Sequence, residues 1–132
     1  MSAVVIYWSS TGNTEAIASK IASALGVEAK SVSDISVSDA LGYDTLVLGC
    51  PAMGAEELED SEFRPFFEEV AKDTTKKYAF FGSYGWGGGE WMQNWLAEAN
   101  EKGLNVVANL ISSGGVDEIE GDFDSFIQAI NA

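Results

Sequence analysis

Short apolar runs alternate with amphipathic segments along this chain, and that alternation restricts the fold more than any other feature. AVVIYW (3–8), TLVLGC (45–50), YAFFGS (78–83) and LNVVANLI (104–111) are rich in large apolar residues, and VEAKSV (27–32) is a weaker run of the same kind. A continuous apolar run, rather than one alternating with polar residues, fits a strand covered on both faces, as in a parallel sheet between helix layers. Between the runs, Ile17, Ile21 and Leu25 recur at a spacing of four within Thr14–Leu25, and Gly26 follows as a helix stop. FRPFFEEVAK (63–72), with Pro65 in its first turn, EWMQNWLAEANEK (90–102), closed by Gly103, and DFDSFIQAI (122–130) complete the helical segments. Strands alternating with helices predict an α/β fold: a doubly wound five-stranded parallel sheet, order 2-1-3-4-5, with helices on both faces. No linker, repeat or shift in composition divides the chain, so residues 1–132 are expected to form a single domain. A ligand belongs at the carboxyl ends of such strands, around the switch between strands 1 and 3. The loops of interest are therefore 9–14, 51–62, 83–89 and 112–121.

Charge and residue counts narrow the function. Seven Lys and Arg against 21 Asp and Glu leave a net charge of −14. Such a field repels nucleic acid and anionic membrane, and it attracts basic faces of protein partners. No apolar run reaches the roughly 20 residues of a membrane span, and no signal peptide opens the chain. A single cysteine, Cys50, allows no internal disulfide. These features lead us to expect a cytoplasmic protein. There is no histidine, so the commonest general base and metal ligand is missing, and neither catalytic nor metal-binding residues are expected.

The first loop has the most distinctive chemistry. Ser9, Ser10, Thr11, Asn13 and Thr14 surround Gly12 at the start of a helix, with no lysine or arginine among them. Helix-terminal N–H groups and the helix dipole favour an anion there. The loop lacks the lysine of a Walker A motif and the second and third glycines of a dinucleotide fingerprint. A single hydroxyl would suffice to cap the helix, so five polar side chains in six positions point to a bound phosphate monoester held by hydrogen bonds.

Ser9-Ser10-Thr11-Gly12-Asn13-Thr14 resembles the flavodoxin signature (Ser/Thr)-x-Thr-Gly-Asn-Thr, and GCPAMGAEELEDSEFRPFFEE (49–69) and FGSYGWGGGEWM (81–92) extend the likeness over nearly the whole chain. The sequence is similar to short-chain flavodoxins of the clostridial type. The resemblance implies a flavodoxin-like fold and FMN as cofactor, its 5′-phosphate held by Ser9, Ser10, Thr11, Gly12, Asn13 and Thr14 with help from Ser83. It further implies that Met53 and Gly54 cover one flavin face, with Ala52 and Ala55 beside them among the cofactor-binding residues. The Gly54 peptide would flip on one-electron reduction to accept from flavin N5–H, which favours the semiquinone. Glu56 would accept from flavin N3–H, Trp86 would stack on the other face, and Tyr84, Gly85 and Gly87 would border the pyrimidine edge. Trp91 and Trp95 are expected in the core, Trp8 beside the site, and the 112–121 loop on the pyrimidine rim. Pro51 stands where relatives often carry a hydroxyl, while Ala55 and Gly88 each replace a frequent acidic residue.

These residues imply a one-electron carrier shuttling between semiquinone and hydroquinone, and not an enzyme. An acidic rim of Glu56, Glu57, Glu59, Asp60 and Glu62 would oppose the anionic reduced ring. About 3 kcal/mol of such repulsion lowers a one-electron potential by roughly 130 mV. The expected partners are basic faces of oxidoreductases and reductases, met by a monomer. Two alternatives share the fold: an activator dedicated to reducing one enzyme, and a small NAD(P)H:quinone reductase, for which Met53 and Trp86 would leave neither ring face free. A receiver domain would need an acidic pair where Ser9-Ser10 stands. A low-molecular-weight phosphatase would need an arginine where Glu56 follows Cys50.

Overall fold

The computed structural model describes residues 2–53, 56–85 and 87–132. Its elements run β1 (Ala3–Tyr7), α1 (Asn13–Leu25), β2 (Ala29–Ser31), α2 (Val37–Ala40), β3 (Thr45–Gly49), α3 (Phe63–Val70), β4 (Lys77–Ser83), α4 (Glu90–Glu101), β5 (Asn105–Ser112), β6 (Ile119–Glu120) and α5 (Phe123–Asn131). The strands form one sheet in the order β2-β1-β3-β4-β5-β6. Strands β1 to β5 pair in parallel, with Val4 opposite Leu46 and Leu48 opposite Phe80, as the apolar runs predict.

Neighbouring residues of each central strand bury into opposite cores, which explains why the runs are continuous. Val4, Ile6, Leu46, Leu48, Tyr78 and Phe80 pack with Phe63 and Phe67 of α3 and Trp91 and Trp95 of α4. Val5, Val47, Ala79 and Phe81 pack with Ile17 and Ile21 of α1 and Phe126 and Ile130 of α5. The first core is organised by Trp95, which stacks on Phe80 with ring centroids 3.9 Å apart and receives Phe63 and Phe67 edge-on. Trp91 and Trp95 are both buried, as expected.

Two features depart from the sequence reading. The sheet has a sixth strand: β6 pairs antiparallel with β5, Ile111 opposite Glu120 and Ser112 opposite Ile119. Two residues cannot display a periodicity, so nothing in 112–121 marked it. The crossover from β2 to β3 also holds a 3₁₀ turn (Val32–Asp34) and the four-residue α2, whose N-cap Ser36 accepts from Asp39 N–H at 3.0 Å.

Strands β1, β3, β4 and β5 end together at Tyr7, Gly49, Ser83 and Ser112, so the loops that follow them share one edge of the sheet. The strand ends are drawn close there. A Cβ on Gly82 would sit 2.1 Å from the Cys50 carbonyl oxygen, so only glycine lets β4 pass the end of β3.

Candidate functional site

The turn after β1 is shaped for an anion. Gly12, φ 96°, enters α1 from the left-handed region, which glycine adopts without steric cost. No side chain caps α1, although the turn is rich in hydroxyls. Ser9 Oγ instead accepts Gly12 N–H at 3.1 Å, which tightens the turn. The first-turn N–H groups of α1 are thus left without a side-chain acceptor at the positive end of the helix dipole.

A cleft of about 200 Å³ opens beside this turn, lined by Ser10, Thr11, Asn13, Pro51, Ala52, Met53, Ser83, Tyr84 and Gly85. Three separate loops contribute, and none of these residues is cationic. At its side Thr14 Oγ1 and Ser83 Oγ lie 2.9 Å apart in a buried hydrogen bond that ties α1 to the end of β4. Hydroxyls, an amide and free helix N–H groups are a donor set that fits a phosphate monoester, so the chain's own residues fit FMN here.

The loop after β3 is stapled at both ends. Met53 and Glu57 exchange backbone hydrogen bonds of 2.9 and 3.0 Å. Glu56 has φ 61°, the only non-glycine positive φ among the described residues. Its carboxyl reaches the third loop, because a Cβ on Gly87 would lie 2.5 Å from Glu56 Oε1. The structure therefore brings Glu56 and Gly87 together, apart from the residues lining the cleft beside the first turn. The roles assigned to Gly54, Ala55 and Trp86 lie outside the described residues.

The acidic rim needs one correction. Glu59 is 5% exposed and is no part of a solvent-facing rim. Its Oε1 accepts Glu62 N–H at 2.9 Å and Phe63 N–H at 2.8 Å; its Oε2 accepts Ser61 N–H at 2.8 Å and the Ser61 hydroxyl. It is the cap of α3, whose own N-cap residue offers no side-chain bond. Burial pulls its carboxyl upward, yet these donors outweigh that and hold it below the usual glutamate range. The signal was legible: a carboxylate shortly before a helix that starts at Phe63 is a capping candidate. Glu57 and Asp60 are exposed, as is Glu62, which accepts from Trp8 Nε1 at 3.1 Å. Trp8 is half-buried against the first core.

Sequence reasoning missed two further contacts. Tyr84 packs at a tilt on Trp91, ring centroids 5.6 Å apart, and its hydroxyl donates to Glu120 Oε2 at 2.5 Å, so β6 holds the third loop. Gly115 approaches Asn13 closely enough that a Cβ there would meet Asn13 Oδ1 at 3.5 Å, which seats the 113–118 turn beside the first loop. Cys50 is inert by placement: burial pushes its thiol up to about 12, and its Sγ accepts Glu59 N–H at 3.3 Å.

Comparison with known proteins agrees with this geometry. The family model described as Flavodoxin matches residues 5–127. The chain is 48% identical to the flavodoxin of Megasphaera elsdenii over 113 residues, 81% of this chain and 82% of that one. It is 46% identical to the flavodoxin of Clostridium beijerinckii over 129 residues, 92% of this chain and 94% of that one. The solution structure of two-electron reduced Megasphaera elsdenii flavodoxin superimposes with a TM-score of 0.84 at 40% identity, covering 97% of each chain. With a cation-free, hydroxyl-rich turn at the switch point of its sheet, this chain belongs to the flavodoxin family, whose members bind FMN and transfer electrons rather than catalyse turnover.

Proposed function

We propose that this flavodoxin holds the FMN phosphate in the Ser9–Thr14 turn and works at low potential, donating electrons one at a time to basic redox partners. The observation that carries the reading is the uncapped start of α1 behind Gly12, open to a cleft lined by Ser10, Thr11 and Asn13. FMN supplies the redox chemistry when bound. The chain's part is to seat the phosphate, line the ring with Ala52, Met53, Tyr84 and Gly85, and present Glu56 to the pyrimidine edge. Gly87 brings its backbone to that edge. The cradle offers donors for one phosphate and no cation for a second, which favours FMN over FAD.

Exposed Glu57, Asp60 and Glu62 lie on one side of the site and leave its charge uncompensated, which favours a strongly reducing carrier and a basic docking partner. We assign the protein to the cytoplasm as a monomer; among the described residues no helix is long and apolar enough to cross a membrane. The test is direct. The purified protein, reconstituted with either flavin, should take up FMN stoichiometrically with a flavoprotein absorption spectrum and should bind FAD far more weakly. Equal or tighter FAD binding overturns the single-phosphate reading.

A further inference from the structure

Two carboxyl groups from different elements converge beside the third loop. A Cβ on Gly87 would lie 2.5 Å from Glu56 Oε1 and 4.0 Å from Glu90 Oε2, and one on Gly88 would lie 2.9 Å from Glu90 Oε1. Glu90 opens α4 and is held in place by Gly88 N–H, which donates to its Oε2 at 3.0 Å. Glu56 reaches the same place from a left-handed backbone, φ 61°, a conformation costly for a residue with a side chain. An outlier of that kind at a ligand site signals that the direction of the side chain matters.

We propose that Glu90 is a positioning residue for FMN binding: its carboxylate stands against Glu56 and decides when Glu56 is free to accept the flavin N3–H. The inference rests on the assignment of Glu56 to that role. The remaining charges around Glu56 do not relieve the pair. Glu57, next in the chain, adds a further negative charge. Across the adjoining cleft Arg64 is committed to Glu98, at 3.1 and 3.2 Å, and to Glu68 at 3.5 Å. Two neighbouring carboxyls without a cation resist double ionisation, so the pair gives up its last proton less readily than an isolated carboxyl would. In keeping with this, the neighbouring Glu90 carboxyl is the largest influence raising the Glu56 carboxyl above the usual range, offset in part by the backbone N–H groups of Trp91 and Glu90, while Glu56 is the largest influence lowering Glu90. A protonated Glu56 still accepts through its carbonyl oxygen, but the N3–H group makes the stronger, charge-assisted bond to the carboxylate. Binding therefore favours release of a proton from the pair to solvent, and it weakens on the acid side where the pair keeps that proton.

The experiment follows FMN release from the holoprotein by flavin fluorescence between pH 4 and 8 for the wild type, Glu90→Gln, Glu90→Asp and Glu56→Gln. Wild-type affinity should fall on the acid side by up to tenfold per pH unit below a break point. In Glu90→Gln the break should move to lower pH, with affinity near pH 8 within about twofold of wild type. Every pH unit between the two break points is then a tenfold gain in acid-side affinity. Glu90→Asp should restore part of the wild-type profile. Ionisation of the FMN phosphate contributes alike in all four proteins and cancels in the comparison. Superimposable profiles for wild type and Glu90→Gln, or a uniform loss of affinity in Glu90→Gln at every pH, overturn the proposal. A Glu56→Gln profile that keeps the wild-type break removes instead the assignment of Glu56 on which it rests, because the amide accepts N3–H but carries no titrating proton.

Discussion

Replacing Glu59 by glutamine changes the charge of one buried group and almost nothing of its shape. The carboxylate receives four donors: the N–H groups of Ser61, Glu62 and Phe63, and the Ser61 hydroxyl. An amide can turn its oxygen toward Glu62 and Phe63, but its NH₂ then faces the Ser61 N–H, donor against donor. Two charge-assisted bonds become neutral ones, at about 1 kcal/mol each, and the part-buried Ser61 N–H loses its acceptor for about 1 kcal/mol. A net loss of about 3 kcal/mol follows, which for a chain of this size lowers Tm by roughly 10 °C. The pH dependence is equally diagnostic. Because the folded-state carboxyl is held below its unfolded value, its contribution is complete above the unfolded value and disappears as pH falls through the lowered one. Thermal melts with excess FMN should show the full difference at pH 7 and converging curves as the medium is acidified toward pH 3. Asp60→Asn, at an exposed neighbour, should stay within about 0.5 kcal/mol of wild type. Equal melting of Glu59→Gln and wild type at pH 7, or a gap that persists undiminished in acid, would refute the capping role.

Three other outcomes test different parts of the molecule. Thr14→Val removes one hydroxyl of the buried pair with Ser83 and should weaken FMN by about 1–2 kcal/mol, or 5- to 30-fold, while leaving riboflavin affinity unchanged in parallel fluorescence titrations. Gly82→Ala drives a Cβ to 2.1 Å from the Cys50 carbonyl and should cost more than about 3 kcal/mol, visible as a lower urea midpoint or insoluble expression. Association with a basic redox partner, followed by stopped flow, should slow as salt rises to physiological strength, where the Debye length is about 8 Å. Amide replacement of Glu57, Asp60 and Glu62 should slow it too, and a rate independent of salt would place docking elsewhere.

The parts of this protein that were legible in its sequence are those in which one local rule dominates. Doubly buried strands must be continuously apolar, so Val4–Ile6 and Leu46–Leu48 announced both cores at once. The Ser9–Thr14 turn stands out in the sequence because its hydroxyls exceed what helix capping requires, and in the structure α1 carries no side-chain cap. Where several weak influences compete, the sequence was silent or misleading. Strand β6 exists through its pairing with Ile111 and Ser112 and through the Tyr84–Glu120 bond, neither of which has a local signature. Glu59 sits in a run of five acidic residues between Glu56 and Glu62, and composition alone makes such a run look solvated. Its burial follows from tertiary placement: Leu58 and Phe63 enter the first core on either side and carry Glu59 in with them.

The same economy governs how this chain manages negative charge. Four of its seven cations pair with carboxylates away from the cleft: Arg64 with Glu98 and Glu68, Lys30 with Glu28, Lys72 with Glu69, Lys102 with Glu98. Exposed pairs of this kind stabilise by only about 0–1 kcal/mol each, so stability alone gives little reason for them. Around the site, backbone and hydroxyl donors take over. Glu59 is held by three N–H groups and a hydroxyl, Glu90 by Gly88 N–H, and the phosphate-sized cleft opens onto helix N–H groups and hydroxyls. N–H dipoles satisfy an anion locally without cancelling its charge at a distance, whereas a lysine would do both. A site built this way would hold a phosphate by hydrogen bonds while the field felt by a bound flavin stayed negative. That field makes adding an electron harder and giving it up easier, as an electron donor requires.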